Sequence, residues 1–285
     1  MVYLTYGDHS LQNKDLKAVS IIKGTKNKYF NKLIYLSSSN DLPNKKDKFS
    51  KFECPLTNFF NILPSTDQDT RDIFYIAGGS GSGKSYIAKQ IAEAYYKLYP
   101  DRNIFLISKL EEDNTIDSTK APIKRLDYKE FINEPLDINK ISNSMVIFDD
   151  YDTIEGKEGK VLIDLIKDIA IMGRKHTDNQ GNITMLLLTH FLTNYSKTRL
   201  LLNEASHFVV YPQNTSYHHL YYLLKNYMGL DKEEVKRLKK LGRWVCFKKQ
   251  FPQLMISQQE IKLLNVDDDD EPEMIPKRRN QNKNK

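Results

Sequence analysis

The chain has 285 residues, of which 40% are hydrophobic, 28% charged and 11% aromatic, a composition that excludes a disordered polymer and predicts a globular protein with one main core. No run reaches the roughly 18 apolar residues of a membrane span, and MVYLTYGDHS resembles neither a signal sequence nor a transit peptide, so the expected location is intracellular. The net charge of +6 suits contact with a polyanion, but it equally suits a Lys-rich solvated surface. Cys54 and Cys246 belong to no metal or redox spacing and read as reduced, packed thiols, and His218 and His219 lack partners at zinc spacing. The sequence therefore predicts no structural metal.

In chain order, LKAVSIIKG and YFNKLIYL, within residues 15–36, read as two strands or a hairpin, and residues 37–48 as a polar loop. DIFYIA (72–77) predicts a buried strand, and SYIAKQIAEAYYKLYP a helix closed by Pro100. In that helix Ile87, Ala88, Ile91, Ala92, Tyr95 and Leu98 share one face. NIFLISK (103–109) is the next strand. IKRLDY reads as a short strand before a small helix near Tyr128–Ile132. SMVIFDD (144–150) is a third buried strand ending in acid. GKVLIDLIKDIAIMG is an amphipathic helix stopped at Gly173. NITMLLLTH (182–190) and HFVVYP (207–212) are the fourth and fifth strands. Strands alternating with helices predict parallel pairing with helices on both faces. Beyond Pro212 come two helices, YHHLYYLLKNYM and DKEEVKRLKKLG, the second with Asp231 as N-cap and Gly242 as stop. A closing strand pair, RWVCFKK and QLMIS, follows.

The first strand runs into GGSGSGKS, a Gly78-x4-Gly83-Lys84-Ser85 phosphate loop. Gly78, Gly79, Ser80, Gly81, Ser82 and Gly83 allow the backbone to wrap round phosphates with its N–H groups inward, at the positive end of the following helix. Lys84 is expected to reach the β and γ phosphates of ATP, and the Ser85 hydroxyl to ligate Mg²⁺.

The strand MVIFDD supplies the acids that a hydrolytic site needs. Asp149 is expected in the Mg²⁺ shell, and Asp150 is expected to orient or deprotonate the attacking water. Asp152, close by, reads as a loop residue. The interval from Lys84 to Asp149 leaves room for a further strand between loop and acid. That order is the additional-strand, RecA-like one, in which NITMLLLTH lies between the phosphate-loop strand and the acid strand. Thr189 and His190, at its end, are candidates to touch the γ-phosphate and report its state.

The succession of phosphate loop, strand with paired acids, MGRKH, LLLTH and TRLLLNEASHFVVYP resembles the FtsK–HerA branch of P-loop ATPases. Within that branch it looks most like the genome-packaging ATPases of poxvirus-type large DNA viruses and virophages, over about residues 70–265. The resemblance implies an α/β fold of RecA-like, additional-strand type. It implies a ring of identical subunits that hydrolyses ATP with Mg²⁺ and moves double-stranded DNA, with capsid or portal proteins as further partners. The expected setting is the host cytoplasm or viral factory, or the virion. In this branch the acid pair is usually Asp-Glu, and Asp150 stands where Glu is common. His190 stands where Gln or Asn is frequent. An arginine from one subunit completes its neighbour's site, and Arg174 and Arg199 match the two basic positions of the pattern. Only 9 of the 43 basic residues are arginines, and a planar, permanent cation suits charge developing on a phosphoryl group.

The chain then divides into N-terminal strands and linker (1–69), an ATPase core (70–212), a helical and strand extension (213–265) and a charged tail (266–285) expected to be disordered. A helicase, a mobilisation motor and a nucleotide-gated assembly protein remain alternatives on the sequence alone.

Overall fold

The computed structural model describes residues 2–8, 17–38, 49–55, 57–177, 180–193 and 195–264. Most of the polar loop 37–48 and the whole of the tail 266–285 lie outside the described residues. No described helix is long and apolar enough to cross a membrane.

Two sheets form the molecule. The larger has ten strands, built on β6 (Ile73–Ala77), β7 (Ile104–Ser108), β8 (Ile123–Arg125), β9 (Met145–Asp149), β10 (Thr184–Thr189) and β11 (His207–Val210), all paired in parallel. Their order from one edge is β8, β7, β9, β10, β6, β11. The strand that carries the acids is therefore separated from the phosphate-loop strand by β10, which is the additional-strand order the sequence implies. Every residue of β6, β9 and β10 is buried, so both faces of these strands must be covered.

Strand pleating sorts the coverings. Ile73, Tyr75 and Ala77 join the core formed with α2 (Gly156–Met172), α3 (Tyr195–Glu204) and α4 (Tyr217–Met228). Phe74 and Ile76 point the other way, into a core shared with Ile87, Ala88, Ile91, Ala92 and Tyr95 of α1 (Lys84–Leu98). Each large aliphatic or aromatic side chain so buried stabilises the fold by about 1.5–3 kcal/mol.

The extension after α4 continues the same sheet. After α5 (Lys232–Arg237), β12 (Val245–Lys248) pairs antiparallel with β11, and β13 (Leu254–Ser257) and β14 (Glu260–Leu263) follow in antiparallel order. The closing pair expected from sequence is thus three strands. The outermost position is taken by β4 (Lys51–Glu53), which pairs antiparallel with β14.

The N-terminal segment holds more structure than the expected strand pair. β1 (Val2–Gly7), β2 (Lys17–Gly24), β3 (Leu33–Ser38) and β5 (Asn58–Ile62) form a four-stranded antiparallel sheet in the order β1-β3-β2-β5. Leu4, Ile22, Ile34 and Phe60 of this sheet pack into the core that contains α1. β1 and β5 are short, and each carries polar residues between its apolar ones, so neither stands out until a neighbouring sheet supplies the buried face.

Candidate nucleotide-binding site

The parallel strands end level with one another, with Asp149 beside Leu188 and Thr189 beside Ala77. The residues that follow them therefore meet in one crevice at the carboxyl ends of the strands, where open α/β sheets bind ligands. The crevice holds about 470 Å³ and is lined by residues 79–86, Leu110, Asp113, Thr115, Asp149, Asp150, His190 and Arg243.

The loop between β6 and α1 is shaped by backbone that only glycine adopts readily. Gly81 has φ +72° and Gly83 φ +108°. Gly83 precedes α1 in this left-handed conformation, and no side chain caps the helix start. The first amides of α1 and the positive end of its dipole are thus free to hold an anion. Lys84 is buried, its Nζ donating to the Gly78 carbonyl at 3.0 Å and standing 3.5 Å from Asp150 Oδ1.

Asp149 is buried at the end of β9 and accepts a hydrogen bond from Ser108 Oγ at 3.0 Å, across from it on β7. Burial first, and then the like charge of Asp150, push its carboxyl up to about 6. A divalent cation would relieve both effects. The candidate ligands, a hydroxyl from Ser85 and a carboxylate from Asp149, are hard oxygen donors that fit Mg²⁺.

Asp150 turns the chain out of the strand in the left-handed region, φ +46° and ψ +33°. This brings its Oδ1 within 3.1 Å of His190 Nε2 as well as near Lys84. The structure thus brings Lys84, Asp149, Asp150 and His190 together at the loop.

Thr189 differs from expectation in where it points. It is fully buried, and its hydroxyl donates to Asp152 Oδ2 at 2.7 Å instead of lining the crevice. The same carboxylate oxygen accepts from the backbone amides of His190 at 2.8 Å and Phe191 at 3.3 Å. From the far side, the Tyr75 hydroxyl donates to the Phe191 carbonyl at 2.6 Å. Asp152, an ordinary loop acid by sequence, therefore fastens the end of β10 to the acid turn. Nothing in its spacing distinguishes it.

Arg243 is the other residue that spacing does not reveal. It precedes β12, yet its Nε donates to the Ser82 carbonyl at 2.7 Å and its Nη2 to the Gly81 carbonyl at 2.6 Å.

The two arginines expected to act on a neighbour lie outside the crevice. Arg174 sits between the end of α2 and the start of β10, at the opposite end of the sheet from its own phosphate loop, and pairs with Glu204 at 3.1 Å. Arg199 is exposed on α3.

No protein-family model matches the chain. It is similar to the uncharacterized protein V3 of Sputnik virophage, with 30% identity over 256 residues that cover 88% of this chain and 97% of V3. Among solved structures it is similar to the genome packaging NTPase B204 from Sulfolobus turreted icosahedral virus 2 in complex with ATP-gammaS. That match has 14% identity and a TM-score of 0.41, covering 66% of this chain and 98% of B204. It is also similar to the pCW3 conjugation coupling protein TcpA with ATPgS, at 11% identity and a TM-score of 0.44, covering 85% of this chain and 77% of that one. With 30% identity across 97% of V3, the chain belongs to the family of this virophage protein.

Proposed function

We propose that the protein is an ATP-hydrolysing motor that translocates double-stranded DNA, serving viral genome packaging as a homo-oligomeric ring. The observation that carries the reading is the second acid. Asp150 follows Asp149 directly, leaves the strand in a turned-out conformation and faces Lys84 across the phosphate loop, which is where a carboxylate that positions water is needed. Kinship with a virophage protein supports a viral setting, and the resemblance of the sequence blocks after the acids to genome-packaging ATPases supports DNA as what that hydrolysis moves.

In this reading the amides of residues 79–85 wrap the phosphates of ATP. Lys84 exchanges the Gly78 carbonyl for phosphate oxygens. Ser85 and Asp149 would hold Mg²⁺, which would supply positive charge against the transferred phosphoryl group. Asp150 holds the attacking water and takes its proton, and His190, whose Nε2 stands 3.1 Å from Asp150 Oδ1, shifts when water and γ-phosphate arrive. Asp152 transmits the change to the end of β10. Arg174 or Arg199 of a neighbouring subunit completes the site. Arg174 lies at the end of the sheet remote from its own loop, which suits action in trans. Double-stranded DNA is the substrate track, and capsid or portal proteins are the docking partners.

The test is the ATPase rate of the wild type and Lys84→Ala, with and without duplex DNA. Stimulation of the wild type by duplex, with no turnover in the variant, is expected. A wild-type rate indifferent to DNA at every protein concentration would remove the motor reading and favour a nucleotide-gated assembly protein. A rate per subunit that falls on dilution to monomers is expected from a shared site; a constant rate would exclude the trans arginine.

A further inference from the structure

We infer that Arg243 is a positioning residue of the nucleotide site, supplied in cis by the C-terminal extension, which holds the phosphate loop in its binding shape by its outer carbonyls. The inference rests on the reading of that loop as a nucleotide site.

The argument starts from peptide geometry. In a planar trans peptide the carbonyl and the following N–H point to opposite sides. Arg243 binds the carbonyls of Gly81 and Ser82, and so turns the amides of Ser82 and Gly83 to the other side of the loop. The Ser82 amide closes the turn on the Gly79 carbonyl at 3.2 Å. Gly81 and Gly83, both at positive φ, have no Cβ to hinder a flip of the peptides they flank. The internal bond fixes only the Gly81–Ser82 peptide, so the hold of Arg243 reinforces that one and fixes the Ser82–Gly83 peptide. The guanidinium is suited to it because two of its N–H groups diverge in a fixed plane and reach two adjacent carbonyls at once, which one ammonium cannot do.

The hold is itself anchored. The Arg243 backbone amide donates to Gln258 Oε1 at 2.8 Å, and Trp244, next in the chain, is buried. The Gln258 carbonyl in turn accepts from the Phe60 amide of β5 at 3.0 Å. The phosphate loop is thus tied through Arg243 to the β13–β14 turn, and through that turn to the N-terminal sheet. Loss of Arg243 is expected to weaken binding of every nucleotide that uses the loop, ADP as well as ATP, since the loop's amides contact the phosphates they share.

The experiment compares full-length wild type, Arg243→Ala and Arg243→Lys by titration with a fluorescent ADP analogue, steady-state ATPase kinetics and thermal melting. We expect Arg243→Ala to bind ADP roughly tenfold more weakly, as loss of a charge-assisted hydrogen-bond pair implies. KM should rise while kcat stays near that of the wild type, and Arg243→Lys should recover only part of the affinity. If Arg243→Ala does not fold, Arg243→Lys decides: weakened binding at an unchanged melting temperature supports the inference. Wild-type affinity in the folded variant overturns it, as does a fall in melting temperature with no change in Kd. A wild type that binds no ADP would overturn the nucleotide-site reading and this inference together, whereas wild-type binding with an indifferent Arg243→Ala would overturn this inference alone.

Discussion

Single residues divide into those whose neighbours in sequence announce them and those placed by tertiary structure. GGSGSGKS and FDD are contiguous, so the chemistry of their parts is legible on the page. Asp152 and Arg243 act on backbone groups far from them in sequence, and no local pattern encodes such a partner. Asp152→Ala should retain ADP binding but lose turnover, up to about a hundredfold, because His190 is no longer held over Asp150; phosphate release measured beside ADP titration separates the two. The aspartate at 150, where the branch that the sequence resembles usually has glutamate, has a backbone reason: left-handed conformation is far better tolerated by Asp and Asn than by longer side chains. Asp150→Asn should therefore melt like the wild type while losing about a hundredfold or more in kcat, and Asp150→Glu should melt lower. Away from the site, His207 is buried against Phe74, with Ser206 Oγ 2.9 Å and Asp72 3.6 Å from its Nδ1. Burial lowers its pKa from 6.5 to about 4, against the opposing pull of Asp72. The unfolded chain thus binds a proton that the folded chain refuses between pH 6.5 and 4. The stability this neutral histidine contributes is present above pH 6.5 and is lost as pH falls toward 4, on the order of 3 kcal/mol at most. Melting curves from pH 7 to pH 4 should fall more steeply for the wild type than for His207→Gln.

Among the elements, those with strong period were readable. α1 and α2 bury the apolar faces seen in their sequences, and the N-cap expected at Asp231 is a full capping box, accepting from the amides of Glu233 and Glu234 while Glu234 returns the bond. α3 was not readable, because YSKTRLLLNE mixes polar residues through a helix of 10 residues whose burial depends on the sheet beneath it. Contact also reverses a familiar rule in α2. Replacing glycine by alanine inside a helix ordinarily stabilises it by up to about 1 kcal/mol. A Cβ at Gly159, however, would stand 2.1 Å from the Ile154 carbonyl oxygen. Gly159→Ala should then destabilise the fold by about 1–3 kcal/mol, read as a lower denaturation midpoint, and since α2 follows the acid turn it should also depress turnover.

For the whole molecule, the position of Arg174 gives a prediction about assemblies. Lys84→Ala subunits keep their arginine, and Arg174→Ala subunits keep their phosphate loop, so mixing two inactive preparations should restore part of the ATPase activity at shared interfaces. No recovery at any ratio, with assembly intact by light scattering, would leave Arg199 as the remaining candidate. The molecule is also stitched across its length in a way that residue patterns did not disclose. β4, from the N-terminal segment, closes the sheet that ends in β14, and both Phe52 and Ile261 are buried there. During synthesis the earlier partner emerges about two hundred residues before the later one. Until β14 is made, residues 51–53 have no place in the sheet, and Phe52 waits as an unpaired, sticky segment. A strand made late in synthesis therefore locks one made early.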